Sequence, residues 1–224
     1  VDIFADLLPA KMVGGDLYDF FAVDEHRLFV AIGDVSGKGV PAALFMAVTK
    51  TLLKGSAQLN LDPASVLTRV NLELCLDNDS AMFTTTICAL LDLTNGELTF
   101  ANAGHNPALL LRRGGGVEWL AHGESAPLGC FEETCYKNHT MRLFAGDILL
   151  LYTDGVTEAV NAKDEFFSED RLCDVFQGCQ GFSAQKAVAE LLQSVQKFSE
   201  GTEQFDDVTL LALKYHGFSG RERG

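Results

Sequence analysis

The chain has 224 residues, the length of one ordinary α/β domain. Its 47% hydrophobic and 21% charged residues lie near the globular average and exclude disordered, collagen-like and low-complexity classes. The net charge of −14 argues against nucleic acid or an anionic membrane as a partner held by overall charge. It would also repel a phosphorylated substrate unless something local reverses the sign.

Taken in chain order, the first residues, VDIFADLLPA, read as a strand. DLYDFFAV and HRLFVAIGDV are apolar-rich and form a hairpin turning at Asp24 and Glu25. Past Gly37 and Gly39 the pattern becomes helical, with Pro41 in the first turn and Leu44, Val48, Thr51 and Leu52 near helical spacing. A second helix opens at Asp62-Pro63, an N-cap followed by Pro, and runs to about Asn78 through Val66, Leu67, Val70 and Leu74. The stripes Leu44/Val48/Leu52 and Val66/Val70/Leu74 are expected to face the core.

Strands return with MFTTTICALLDL and GELTFANAG, joined by Thr94-Asn95-Gly96. HNPALLLRR and GVEWLA make another hairpin at Gly114 to Gly116, and KNHTMRLFAGDILLLYTDGV supplies two strands turning at Ala145-Gly146-Asp147. FSAQKAVAELLQSVQKF is a helix capped by Ser183, and DVTLLALKY closes the fold. Nine or ten strands linked mainly by hairpins, with three main helices, indicate α+β with antiparallel sheet. ILLLY and TLLAL are apolar throughout, which implies burial on both faces. One domain is expected over residues 1–216, with a short tail at 217–224.

The six cysteines contain no Cys-x-x-Cys pair and read as free thiols of a reducing cytosol. Cys130, Cys135 and His139 are too loosely spaced for a convincing zinc site. No apolar run reaches the ~18 residues of a membrane span, and no signal peptide opens the chain. The expected location is cytoplasmic.

Acidic residues carry the chemistry. Asp16 follows Gly14-Gly15, Asp34 and Asp154 follow apolar strands, and Asp206-Asp207 opens the last strand. Burying several carboxylates at strand ends without partners costs several kcal/mol each. Only Lys38 is a cation close to any of them in sequence. Divalent Mg²⁺ or Mn²⁺, which prefers oxygen donors, is the economical partner. For any single Asp-Gly, turn chemistry is the simpler reading. GDVSGKG is not a P-loop, because only three residues separate Gly33 from Gly37 and Gly39 stands where Ser or Thr is needed. LLLYTDGVTEA lacks the second Asp of haloacid-dehalogenase phosphatases, with Tyr152 and Thr153 ahead of Asp154.

GGDLYDFF, IGDVSGKGVPAALFMA, MFTTTICALLD, FANAGHNPALLL, LLLYTDGVTEA and FDDVTLLAL together resemble the metal-dependent PPM-type serine/threonine protein phosphatases. Their order is that of the bacterial branch typified by stage II sporulation protein E and the stress-response sigma-regulator phosphatases. The resemblance runs from about Ala10 to Tyr215. It implies a sandwich of two antiparallel sheets flanked by helix pairs, with two divalent cations, Mn²⁺ or Mg²⁺, at one end. Carried over by motif, Asp34 bridges the metals, Asp16 and the Val35 carbonyl serve one, and Asp154 and Asp206 serve the other. Asp207 is the alternative to Asp206. The implied reaction is attack of a two-metal-activated water on a phosphoserine or phosphothreonine, with no covalent enzyme intermediate.

The chain departs from the eukaryotic pattern in two places. Ser36 stands where those members carry a His acid, and Lys11 is the best match to their phosphate-binding Arg. Lys38, Ser36 and His105 are weak candidates for phosphate contact, each with a plainer reading as a solvated or turn residue. The branch implies an anti-anti-sigma-factor domain as substrate. A chain that opens without Met inside a strand is expected to be the C-terminal output domain of a longer signalling protein. A silent partner-binding module and a small-phosphoester hydrolase are the alternatives.

Overall fold

The computed structural model describes residues 1–76, 78–120 and 125–218. Ten strands and five helices are assigned among them: β1 (Asp2–Leu8), β2 (Leu17–Ala22), β3 (Arg27–Val35), α1 (Val40–Ala57), α2 (Pro63–Cys75), β4 (Thr84–Asp92), β5 (Glu97–Ala103), β6 (Leu109–Leu111), β7 (Val117–Trp119), β8 (His139–Arg142), β9 (Ile148–Tyr152), α3 (Asp154–Thr157), α4 (Ser168–Gln177), α5 (Ala184–Phe198) and β10 (Val208–Lys214). They form two antiparallel five-stranded sheets, ordered β1-β10-β9-β6-β7 and β2-β3-β4-β5-β8. The architecture is the expected α+β sandwich with a helix pair on each outer face.

Three apolar layers hold it together. One lies between the sheets and includes Ile32, Ile87, Leu149 and Leu211. A second packs α4 and α5 on the first sheet through Leu172, Phe176, Val188 and Leu191. The third packs α1 and α2 on the other sheet through Leu53, Val66, Val70 and Leu74. Every residue of β9, and β10 up to Leu213, is buried, because each strand is covered on both faces. The hairpins β2-β3, β4-β5 and β6-β7 pair as expected. The caps also hold: Asp62 accepts the Ser65 amide at 3.0 Å, and Ser183 accepts that of Lys186 at 3.2 Å.

Four expectations require correction. First, of the Leu44/Val48/Leu52 stripe only Leu52 packs against the core, while Leu44 and Val48 are 65% and 51% exposed. Helix α1 instead turns Ala42, Thr49, Leu53 and Ser56 inward, where small residues allow close approach to the sheet. Val66, Val70 and Leu74 are buried as expected. Second, β8 and β9 are not a hairpin. β8 pairs with β5 in one sheet and β9 with β10 and β6 in the other. The buried Asp147 carboxylate pins this crossing by accepting from Arg112 Nη1 at 2.9 Å, the Arg113 amide at 2.9 Å and the Phe144 amide at 3.0 Å. Third, α2 ends at Cys75, short of Asn78. Fourth, Ser168–Gln177 forms a helix that periodicity missed, since it buries only Leu172 and Phe176. Of the expected tail, residues 219–224 lie outside the described residues, as does Ala121 at the end of GVEWLA.

All six cysteines are free. No helix among the described residues is long and apolar enough to cross a membrane.

Candidate active site

The carboxylates converge at one end of the sandwich, where both sheets present strand ends. Asp34 is the penultimate residue of β3, Asp16 immediately precedes β2, and Asp206 and Asp207 lead into β10. Asp154 is the first residue of the one-turn α3 directly after β9. A side chain at Gly155 would run into the Asp207 backbone carbonyl, so only glycine lets α3 sit this close to β10.

The Asp206-Asp207 pair divides its labour. Asp207 is buried, and its Oδ1 accepts the Ala10 amide at 2.8 Å while Oδ2 accepts the Gly15 amide at 2.8 Å and that of Asp16 at 3.4 Å. It holds the backbone of the Gly14-Gly15 turn. Asp206 is half-exposed and pairs with Lys38, Nζ to Oδ2 at 2.8 Å. Lys38 Nζ also donates to the Phe205 carbonyl at 2.6 Å.

Asp16 joins the two sheets. Its Oδ2 accepts from the Thr153 hydroxyl at 2.7 Å and from the Thr209 hydroxyl at 2.5 Å, and its carboxyl is also hydrogen-bonded to that of Asp34. Burial pushes its carboxyl up to about 9, against the lowering by these two hydroxyls; Asp34 and Asp207 raise it further. Asp34 is pushed up to about 7, first by burial and then by the charges of Asp154 and Asp206. Asp154 is raised by burial and by Asp206. Five acids, Asp16, Asp34, Asp154, Asp206 and Asp207, crowd together beside the engaged Lys38.

The donors fit a hard divalent cation. All are oxygens, and the acids outnumber the nearby cations, Lys38 and Lys11. The decisive detail is Gly15. A methyl group there would come within 3.0 Å of the Val35 carbonyl oxygen and 3.5 Å of Asp34 Oδ1. Glycine therefore keeps clear the space in front of the two oxygens that the resemblance assigns to one metal. A side chain at Gly14 would run into the Asp207 carboxylate. Among the described residues no three His, Cys, Asp or Glu side chains are already gathered around one point. Cys130, Cys135 and His139 are likewise not gathered around one point.

The weak candidates have structural roles. Ser36 pairs with the start of β4: its amide donates to the Phe83 carbonyl at 2.9 Å and its Oγ accepts the Phe83 amide at 3.0 Å. His105 is 5% exposed, with Nε2 3.1 Å from the Tyr152 carbonyl and Nδ1 2.8 Å from Thr85 Oγ1. The carbonyl can only accept, so Nε2 carries the proton and Nδ1 accepts from Thr85. Burial holds the imidazole down at about 4, and the ring stays neutral. His105 ties the end of β9, next to Asp154, to Thr85, which pairs with Asp34 across β3-β4. It is a brace between the strands that carry the acids. His105 also lines a shallow cleft together with Asp154 and Glu158. Lys38 and the exposed Lys11 remain as cations lining the narrow crevice formed by the Gly14-Gly15 turn, Asp34 and the Gly37–Gly39 stretch.

Sequence reasoning missed Thr153, Thr209 and the anchoring role of Asp207. Each immediately flanks a motif acid or follows it by two residues, which is the only signal it gives.

Residues 24–216 match the family model described as stage II sporulation protein E. The chain belongs to that family. It is 30% identical over 214 residues to phosphoserine phosphatase RsbU of Bacillus subtilis, covering 96% of this chain and 63% of RsbU. The SiaA-PP2C domain of Pseudomonas aeruginosa superposes with a TM-score of 0.86 at 20% identity, covering 95% of this chain and 85% of that domain. RsbX, solved in complex with magnesium, superposes at 0.69 with 21% identity, covering 94% and 92%. At these identities the two structures establish the fold. The chain spans less than two thirds of the length of the curated relatives it matches.

Proposed function

We propose that this chain is a metal-dependent protein serine/threonine phosphatase domain, the cytoplasmic output end of a longer bacterial signalling protein, acting on a phosphorylated partner of the anti-anti-sigma-factor type. The observation that carries the reading is the space that Gly15 leaves open before Asp34 and the Val35 carbonyl, ringed by carboxylates with one lysine. Family membership and the printed activity of RsbU support it, and the magnesium in RsbX supports the cation class.

Asp34, Asp16 and the Val35 carbonyl would hold one cation, and Asp34, Asp154 and Asp206 the other. The cations would supply an activated water at neutral pH and positive charge for the phosphoryl oxygens. The chain's own residues do the rest. Asp207 fixes the Gly14-Gly15 backbone, and Thr153 and Thr209 orient Asp16. His105 keeps the β9 and β4 ends in register, while Lys38 offsets the charge of Asp206 and stands at the crevice where a phosphate would enter.

The test is hydrolysis of a phosphoserine peptide and of p-nitrophenyl phosphate with Mn²⁺, with Mg²⁺ and with EDTA. Metal-dependent turnover of the peptide supports the proposal. Turnover of the small ester alone indicates a small-phosphoester hydrolase. Metal binding without turnover of either indicates a silent module.

A further inference from the structure

Next to the carboxylate cluster lies a cavity of about 250 Å³, between α5, the segment joining α3 to α4, and residues 203–208. Its floor is apolar, built from Leu8, Ala159, Leu192, Val195 and Val208. Its charged lining has one sign, Glu158, Glu203 and Asp206, and among the described residues no Lys, Arg or His lines it. Phe166 and Phe205 line it as well while remaining 58% and 66% exposed. Two exposed aromatic rings beside an apolar cavity offer contact surface for another molecule.

The cavity adjoins the proposed catalytic crevice. Asp206 lines both, and Lys38 binds the carbonyl of Phe205. Lys38 is engaged by Asp206, and among the described residues neither Glu158 nor Glu203 forms a salt bridge. An apolar floor, an acidic rim and two ring faces suit a side chain with an aliphatic stem and a cationic head. A planar guanidinium also stacks on rings, which an ammonium does less well. An extended chain advances roughly 3.3 Å per residue, so such a side chain would come from a position close to the phosphorylated residue.

We propose that this cavity receives an arginine side chain of the protein substrate, a few residues from the phosphoserine or phosphothreonine, and so sets sequence preference. The proposal rests on the phosphatase reading above.

The experiment uses phosphoserine peptides that differ at one site, Arg or norleucine, moved through successive positions on either side of the phosphoserine. Each is assayed with the wild-type chain, with Gln196→Trp, which places a bulky ring at the cavity from an exposed position of α5, and with Glu203→Gln. The readout is the ratio of kcat/KM for the Arg and norleucine peptides. Fluorescence anisotropy with non-hydrolysable phosphonate versions gives the same ratio from binding. We expect Arg to be favoured roughly tenfold at one position, about 1.4 kcal/mol, with the ratio falling toward one in both variants. Equal ratios at every position, a preference for norleucine, or an Arg preference that survives Gln196→Trp would overturn the proposal. Loss of p-nitrophenyl phosphate hydrolysis in the wild type would defeat the phosphatase reading instead, and the anisotropy ratio would still decide this one.

Discussion

Asp207 Oδ2 accepts the backbone amide of Gly15 at 2.8 Å, across 192 positions of sequence. This bond clamps the turn that opens the space before Asp34, while the neighbouring Asp206 faces the other way, toward Lys38. Two adjacent acids thus have separable effects. Asp207→Ala leaves the Ala10 and Gly15 amides unpaired. A bond to a charged acceptor contributes about 1.5–3 kcal/mol, so the variant should lose about 3 kcal/mol and roughly 6–12 °C in Tm. Asp206→Asn removes a half-exposed pair worth under about 1 kcal/mol and relieves repulsion with Asp34 and Asp154. Its Tm should hold while metal-dependent turnover collapses. Scanning calorimetry and p-nitrophenyl phosphate assays on both variants check this.

His105 should behave as a brace. His105→Phe strands the Tyr152 carbonyl and the Thr85 hydroxyl, each costing about 1–3 kcal/mol if left unpaired. The wild-type pH–rate profile should show no limb from this ring between pH 5 and 8, because its folded value, about 4, lies below the ordinary 6.5. The sign follows from proton uptake. The unfolded ring binds a proton between pH 6.5 and 4 and the folded ring does not, so the brace's stability is full above 6.5 and is lost as pH falls toward 4. Urea titrations of wild type and variant across that window report the difference.

Asp16 and Asp34 give the opposite slope. Their folded values, about 9 and about 7, lie above the ordinary 3.8. Folding then takes up protons between pH 4 and 9, so the metal-free chain should lose stability as pH rises through that window. Metal binding requires the ionised acids, releases protons, and should strengthen with pH over the same range. Thermal melts at pH 6 and pH 8.5, with EDTA and with Mn²⁺, should show Tm falling with pH in EDTA and much less with metal.

The outward face of α1 should tolerate polarity. Leu44→Gln and Val48→Gln alter residues 65% and 51% exposed and should change stability by less than about 0.5 kcal/mol. Val66→Ala or Val70→Ala, at fully buried positions of α2, should each cost about 2 kcal/mol. Chemical denaturation of the four variants separates the two helices.

Much of this was legible in the sequence because local chemistry and tertiary placement agree. Asp62-Pro63 and Ser183 cap helices whose apolar stripes do face the core. Asn95-Gly96 turns a hairpin whose strands do pair. Where they part, the sequence misled. The Leu44/Val48 stripe is as periodic as that of α2, yet α1 approaches its sheet through Ala42, Thr49 and Ser56, which a hydrophobic pattern does not highlight. β8 and β9 flank a turn-like Ala-Gly-Asp, but the buried Asp147 makes it a corner between sheets. At the site, motif order brought out the acids. The threonine hydroxyls on Asp16 and the amides on Asp207 are long-range contacts with no local signature.

The most direct test of the account is calorimetric titration of Mn²⁺ into the wild-type chain and into Asp34→Asn. The account predicts binding of two ions by the wild type and severe loss in the variant, since it assigns Asp34 to both proposed positions. No binding by the wild type, or wild-type stoichiometry and affinity in Asp34→Asn, would contradict it.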